Sequence, residues 1–222
     1  MILLFDSVVI GAKDSFLDYE ASMKERKIGD PKKKSIKETV PFSNTTYDFT
    51  KINGEIYWEE RPLKYVFEIT ADTPEELEVK KQAFKTWIMN VHEEELHDPY
   101  IKEFHFIATF DEITCDDTEI EKSTITVKFT AYPYMIANKK KMYRAYLENE
   151  DIVELIVINN SSHRIAATFD SEVNCVILEG NSEIFIRDKA EIYLETGRHV
   201  LTVAGVTEQN GVISLEFYEE VF

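Results

Sequence analysis

The sequence predicts a mostly β protein with one main α-helix, arranged as two domains. Apolar and polar residues alternate over several segments of the first half, one segment has helical spacing, and short strand-like runs recur evenly after residue 138. A chain of 222 residues that is 44% hydrophobic has enough apolar side chains for two cores. We therefore expect an N-terminal domain over residues 1–138 and a C-terminal domain over residues 142–222.

Alternation identifies the N-terminal strands. Residues Ile2–Ile10 are predicted as the first strand, and Leu63–Ile69 alternate as a strand with one buried face does. The runs Phe104–Phe110 and Ile125–Ala131 have the same pattern and are predicted to pair around the acidic turn Cys115–Glu121.

One helix is predicted to begin after Thr73. The Thr73 hydroxyl suits the N-cap, Pro74 suits the first helical position, and Glu76 can close a capping box. The predicted apolar face consists of Leu77, Phe84, Ile88 and Val91, with Trp87 beside it. The opposite, polar side is expected to carry Glu78, Lys81 and Lys85.

A charged hairpin is predicted before the strand Leu63–Ile69. Asn53-Gly54 is a strong two-residue turn signal, and it would join Thr45–Ile52 to Glu55–Glu60. Such a hairpin can leave the domain body and pair with a neighbouring subunit. Ahead of it, Lys32-Lys33-Lys34 is interpreted as a solvated loop, with a docking patch for an acidic partner ring as the alternative.

The C-terminal domain is predicted to be an all-β sandwich, because turn signals separate seven short alternating runs. These runs are Ile152–Ile158, Ile165–Phe169, Cys175–Leu178, Ile184–Ile186, Ala190–Leu194, His199–Val203 and Val212–Tyr218.

The order of several short motifs resembles the N-terminal domain of phage distal tail (Dit) proteins. The motifs are Val40-Pro41, Tyr47-Asp48-Phe49-Thr50, the Asn53-Gly54 hairpin, Tyr57–Leu63 and the closing run Phe129–Tyr134. Two positions depart from the family pattern: Phe42 stands where a glycine often follows the proline, and Arg61 comes one residue late. The resemblance implies an N-terminal β-sandwich with one helix and a protruding β-hairpin, followed by a small galectin-like β-sandwich.

The resemblance also implies a structural role in a virion. Six copies would form a closed ring at the distal end of a tail, with a central channel for DNA and C-terminal domains radiating outward. One side would dock to the tail tube protein and the other to a tail-associated fibre or lysin protein. Candidate inter-subunit contacts are Asn53, Gly54, Tyr57, Trp58 and Arg61. Trp58 could instead pack within its own subunit, since large aromatic residues serve both purposes.

Charge and composition exclude several other classes of protein. A formal net charge of −17 repels phosphate backbones, so sequence-specific nucleic-acid binding is not expected, whereas repulsion would help DNA to pass through a conduit. No apolar run approaches the roughly 20 residues that span a bilayer. The two cysteines, Cys115 and Cys175, form no disulfide framework.

No catalytic, metal or cofactor site is predicted. His92 and His97 lie five residues apart, whereas a zinc-protease helix needs a separation of four, and we interpret the segment as a solvated helix end. The carboxylates Asp111–Glu119 lie in a charged turn that is interpreted as solvated, with metal binding and glycoside hydrolysis as weaker alternatives. The alternative function from another class is a carbohydrate-binding module that recognises bacterial cell-wall glycans through Tyr193 and Tyr218 of the C-terminal domain.

Overall fold

The computed structural model describes residues 6–39, 42, 44, 46–50, 56–117, 119, 121–148, 151–179, 182–206 and 210–222. The chain forms two compact units, one of Met1–Met135 with Phe222 and one of Ile136–Val221. The predicted fold class, mostly β with one main helix, is confirmed. Among the described residues, no helix is both long and apolar enough to cross a membrane.

The first unit contains one large antiparallel sheet and one helix. Its elements are β1 (Val9–Ile10), β2 (Lys13–Asp14), β3 (Ser22–Ile28), β4 (Lys37–Thr39), β5 (Thr46–Asp48), β6 (Arg61–Thr70), α1 (Pro74–Met89), β7 (Glu94–His97), β8 (Phe104–Asp116) and β9 (Lys122–Ala131). The large sheet has the strand order β2-β1-β7-β8-β9-β6-β3, and β4 and β5 form a separate two-stranded sheet. Of the predicted first strand Ile2–Ile10, Val9–Ile10 form β1, residues 6–8 belong to no strand, and residues 2–5 lie outside the described residues.

The helix begins as predicted because its capping groups are all present. The Thr73 hydroxyl accepts a hydrogen bond from the Glu76 N–H at 3.2 Å, and Pro74 occupies the first turn. Glu76 in turn accepts from the Asp72 N–H at 3.4 Å. Phe84 on the buried face contacts Phe67 of β6 edge-on, with 5.1 Å between ring centroids. The helix therefore covers the sheet through the apolar face that its spacing predicts.

Lys81 corrects the predicted polar side of the helix. Its side chain is buried, and its ammonium group donates to Glu78 at 2.5 Å and to Asp117 at 2.8 Å. Burial alone would lower the pKa of Lys81, but the hydrogen bonds to the two carboxylates outweigh it and raise that pKa. The methylene groups of a lysine can line an apolar surface while its charged end is paired, so the prediction that Lys81 faces solvent is wrong.

The segment His92–His97 is not a helix end. The helix stops at Met89, Glu93 adopts a positive φ of 52°, and Glu94–His97 forms β7 between β1 and β8. Leu96 is fully buried there and lies opposite Ile10 and Phe106. The interpretation as a solvated helix end is therefore wrong.

The second unit is a sandwich of two four-stranded antiparallel sheets. The chain first forms β10 (Met135–Ala137), which begins at the unit boundary and pairs with the last strand, β19 (Glu220–Val221), outside these two sheets. The sandwich strands are β11 (Lys141–Leu147), β12 (Ile152–Asn159), β13 (Ile165–Ser171), β14 (Cys175–Glu179), β15 (Ser182–Ile186), β16 (Lys189–Leu194), β17 (Gly197–Gly205) and β18 (Gly211–Phe217). The sheets have the orders β11-β18-β13-β16 and β12-β17-β14-β15. All seven predicted strands are present, and the predicted set lacked β11, whose burial alternates less sharply.

Alternating residues of the two sheets form the second core. Leu155, Val157 and Val203 of one sheet and Phe169 and Leu215 of the other are almost completely buried. The residues between them on the same strands point outward, as the pleat of a strand requires. Each sheet of the sandwich therefore presents one outer face of its own.

Candidate assembly surface

The described residues between 30 and 60, which we call the arm, belong to no strand of the large sheet. The arm starts after β3 and ends before β6, and these strands pair with Ile28 opposite Leu63. At its base the Gly29 N–H donates to the Pro62 carbonyl at 2.9 Å. A Cβ at Gly29 would lie 2.7 Å from the Pro62 side chain, so only glycine allows this approach. The two ends of the arm are thereby held together.

The described parts of the arm form a narrow two-stranded ribbon. Near the base, Lys33 bridges Trp58, and the Lys34 N–H donates to the Tyr57 carbonyl at 2.9 Å. Further out, β4 pairs with β5 from Lys37 opposite Asp48 to Thr39 opposite Thr46. Within the described residues neither outer edge of the β4–β5 pair is bonded to another strand.

The strands of this ribbon differ from those of the predicted hairpin. The prediction paired Thr45–Ile52 with Glu55–Glu60, whereas the described parts of both segments pair with Lys32–Thr39. The predicted pairing is therefore wrong for these residues. In the lysine run Lys33 makes an isolated bridge, Lys32 and Lys34 lie outside any strand, and all three side chains are exposed, which agrees with the interpretation as a solvated loop. Alternation within the arm is weak, so the sequence gives little indication of register. The predicted turn at Asn53-Gly54 lies outside the described residues.

The arm exposes large apolar side chains together with lysines. Ile36 is 55% exposed and Tyr57 47% exposed, and Phe42, Phe49 and Ile56 are exposed as well. Lys32, Lys33, Lys34 and Lys37 are exposed on the same ribbon. Positive charge beside apolar surface on a chain of net charge −17 is a combination that suits contact with an acidic protein surface.

The two aromatic candidates, Tyr57 and Trp58, occupy different environments. The Tyr57 side chain is exposed, whereas Trp58 is half-buried and meets the Phe222 ring edge-on at 4.7 Å between centroids. Phe222 also contacts the buried Tyr134 at 4.8 Å. Trp58 thus packs partly within its own chain and leaves part of its surface open, and the inter-subunit role of both residues stays a prediction.

Arg61 is buried at the base of the arm. It is 2% exposed, and its guanidinium lies 5.7 Å from the centre of the Phe106 ring. Its Nε and Nη2 atoms have no hydrogen-bond partner among the described residues. Burial lowers the pKa of Arg61, an effect that nearby Asp30 opposes. Its inter-subunit contact stays a prediction. Such a contact would require a neighbouring chain to reach guanidinium atoms that are buried within this chain.

A buried polar network that sequence reasoning missed fixes the loop after β7. The Asp98 carboxylate, 3% exposed, accepts from Arg26 at 2.7 Å, from the Tyr65 hydroxyl at 3.0 Å and from the Tyr100 N–H at 2.9 Å. The Arg26 guanidinium also lies 4.5 Å from the centre of the Tyr100 ring. Burial, and then the neighbouring Asp98, raises the pKa of Tyr65. The network ties β3, β6 and this loop together on the sheet that carries the arm.

The groups considered for metal binding or catalysis, the acidic turn and the two cysteines, lie in structural surroundings that do not favour such chemistry. Asp117 of the acidic turn accepts from Lys81 and, at 2.6 Å, from the Ser123 hydroxyl. The hydrogen bond from Lys81, and then that from Ser123, lowers the pKa of Asp117. Burial raises the pKa of both Cys115 and Cys175, which disfavours the reactive thiolate. No group of three or more metal-ligating side chains occurs among the described residues.

The two tyrosines of the glycan alternative are both exposed, but each has a cationic neighbour. The Arg164 guanidinium lies 4.4 Å from the centre of the Tyr193 ring, and the Lys140 ammonium lies 5.5 Å from that of Tyr218. One face of the Tyr193 ring is therefore occupied by an arginine, whereas an aromatic residue that stacks on a sugar needs an open ring face. Glycan binding stays a prediction.

These elements define a class of fold: a helix-covered antiparallel sheet with a separate two-stranded arm, followed by a two-sheet sandwich. One solved structure shares this fold over its whole length. It is the SPP1 Dit protein, described as a paradigm of the hub adsorption apparatus in phages that infect Gram-positive bacteria. The TM-score is 0.66 at 10% sequence identity, and the match covers 96% of this chain and 98% of the SPP1 chain.

Other comparisons add little to this likeness. The phage P2 baseplate in its activated conformation with calcium matches with a TM-score of 0.35 at 7% identity, over 86% of this chain and 90% of that one. No protein-family model matches the sequence, and no curated protein matches it either. The similarity that the motifs predicted is thus confirmed in the fold, at a sequence identity too low for a sequence comparison to detect.

Proposed function

We propose that this chain is a distal tail protein of a phage or prophage of a Gram-positive host. In this role it forms a hub ring, with six copies expected, that joins the tail tube to the host-adsorption apparatus and leaves a channel for DNA. The observation that carries the proposal is the full-length match to the SPP1 Dit protein, because both units and their order are shared. The protein acts at the distal end of the virion tail and is made in the host cytoplasm.

The arm is the feature of the structure that favours ring formation. An isolated two-stranded ribbon is marginally stable in water, and its open edges invite pairing with another chain. The base of the arm is fixed by Gly29 and Pro62, while Ile36 and Tyr57 are exposed above it. When every copy places its arm on the next copy, a closed ring satisfies all arms at once. The net charge of −17 suits such a ring, since an acidic channel does not retain DNA.

The experiment is to measure the mass of the purified full-length chain by light scattering, alone and with its tail tube protein, and to image the particles by negative-stain microscopy. We expect annular particles of six copies, also seen at one end of the tubes. Trp58→Ala and Tyr57→Ala should weaken the ring and leave the circular dichroism spectrum unchanged. Tyr146→Ala is the matched control, because Tyr146 is 54% exposed in the second unit.

Two results would contradict the proposal. A chain that stays monomeric at all concentrations, with and without tube protein, excludes a hub ring. A monomer that binds purified cell-wall glycan, and loses this binding in Tyr193→Ala, supports the carbohydrate-binding alternative instead. If the ring still forms with Trp58→Ala and with Tyr57→Ala, the hub proposal stands, but these two residues are not part of the inter-subunit contact.

A further inference from the structure

The arm carries a fully exposed phenylalanine in a strained backbone conformation. Phe42 lies between β4 and β5, and its side chain is completely exposed, so its ring packs against nothing in the described part of its own chain. Its φ of 66° lies in the left-handed region, which a bulky side chain occupies at a cost in free energy. A costly conformation that presents an apolar ring to water is expected where the ring has a partner outside its own chain.

The pairing within the arm places Phe42 far from the base. Lys33 bridges Trp58 near the base, and Thr39 pairs with Thr46 further out. The six residues from Lys33 to Thr39 span about 20 Å when extended, and Phe42 follows three residues later. The arm is therefore long enough to place the Phe42 ring on a neighbouring molecule.

Four aromatic rings of the first unit form one connected surface. We call it the aromatic patch and define it by Trp58, Tyr132, Tyr134 and Phe222. The ring centroids lie 4.7 Å apart for Trp58 and Phe222, 4.8 Å apart for Phe222 and Tyr134, and 5.6 Å apart for Tyr134 and Tyr132. Tyr134 is buried beneath the others, whereas Tyr132 is 40% and Phe222 43% exposed. Partly exposed aromatic rings held by a buried one are typical of the residues that dominate protein–protein contacts.

The groove along α1 is a second aromatic surface, and it suits an apolar ring less well. Tyr19 and Trp87 stack face to face there at 4.6 Å, so each ring covers one face of the other. Lys13 donates to the Tyr19 hydroxyl at 2.8 Å, and its ammonium lies 5.4 Å from the centre of that ring. The rest of the lining includes the polar residues Glu78, Gln82, Thr86 and Asn90. An apolar ring in this groove would remove these groups from water at a cost.

We propose that the aromatic patch of one copy receives Phe42 from the arm of the next copy. This inference rests on the proposed ring and names the surface on which each arm docks. The contact joins two different surfaces, so it repeats head to tail, as a ring requires. Trp58 belongs both to the patch and to the base of the arm, so each arm begins beside the site that receives the neighbouring arm. Phe42 packs there edge-to-face or offset against the patch, as aromatic rings prefer.

Phe42→Gly separates docking from folding. Glycine adopts a φ of 66° without strain, so the urea midpoint of the first unit should not fall. The protein concentration at which half of the rings dissociate, measured by light scattering, should rise at least tenfold. Tyr132→Ala should have the same effect from the receiving side. Leu17→Ala is the control: Leu17 is 82% exposed and lies on neither surface, so neither quantity should change.

The outcomes distinguish this inference from the hub proposal. Scattering is measured in the condition, alone or with tube protein, in which the parent forms rings. If Phe42→Gly dissociates at the same concentration as the parent, the docking of Phe42 is wrong and the hub stands. A parent that forms no ring in either condition overturns both.

A cross-link between two differently marked copies locates the docked arm. Asn44→Cys in one preparation and Glu60→Cys in the other, both with Cys115→Ser, keep Phe42 and the aromatic patch intact. On mixing, a short bismaleimide should join the two, and such a product contains two copies by construction. Val79→Cys marks the groove along α1 in place of Glu60→Cys and should give no product. Equal yields from the two positions, or a product of Asn44→Cys with tube protein alone, would overturn the inference.

Discussion

Replacing Asp98 with alanine removes the acceptor at the centre of the buried network. The Tyr65 hydroxyl, in a side chain with no exposure, loses its partner, and a buried unpaired donor costs about 1–3 kcal/mol. Arg26 is 33% exposed and regains water, so the full 3–5 kcal/mol cost of breaking a buried pair does not apply. We expect Asp98→Ala to lower the free energy of unfolding of the first unit by about 3 kcal/mol.

Urea unfolding followed by tryptophan fluorescence measures this change. Both tryptophans, Trp58 and Trp87, belong to the first unit, so their emission reports that unit alone. Glu95→Ala is the control: its side chain is 60% exposed, and its removal should change the free energy of unfolding by less than about 0.5 kcal/mol. A loss below about 1 kcal/mol in Asp98→Ala, or additive effects of Asp98→Ala and Tyr65→Phe, would refute the account of a coupled network.

Three further predictions concern pH and packing in the first unit. The raised pKa of Tyr65 stabilises the fold below the ordinary tyrosine value of about 10 and is lost above it, so urea midpoints should fall less between pH 8 and 11 in Tyr65→Phe than in the parent. Phe84→Ala should cost about 3–5 kcal/mol by denaturant titration, whereas Val79→Ala, at a 70% exposed position, should cost less than about 0.5 kcal/mol; equal costs would contradict the assigned core. The lowered pKa of Asp117 gives stability that is lost as pH falls through the acid range, so Asp117→Asn should flatten the acid limb of thermal melts, and an unchanged limb would show that the bond from Lys81 contributes nothing.

Local signals predicted most of the secondary structure. The cap at Thr73 and the proline after it fix where α1 begins, because both act on their own first turn. In the second unit, alternation sufficed for seven strands, since each has one face in the core. These predictions depend on neighbours within a few residues, and such neighbours are visible in a sequence.

The failures depend on contacts between distant residues. Lys81 lies in the apolar stripe of α1 because Asp117 neutralises its charge, and Asp117 is 36 residues away in the sequence. Asp98 gathers partners from β3 and β6, and nothing in its own neighbourhood marks it as buried. Glu94–His97 reads as a charged surface segment but completes a sheet between two strands. For the same reason the ribbon strands of the arm differ from the predicted ones.

The second unit is entered and left through two strands that pair with each other. The chain passes into it through β10 and returns to Phe222 through β19, and the Ala137 N–H donates to the Glu219 carbonyl at 2.8 Å. A module whose two ends meet can be exchanged as a cassette without rethreading the rest of the chain. Recombination at these two points would place a new sandwich on an unchanged scaffold, and Trp58 would keep Phe222, which follows β19, as its aromatic neighbour.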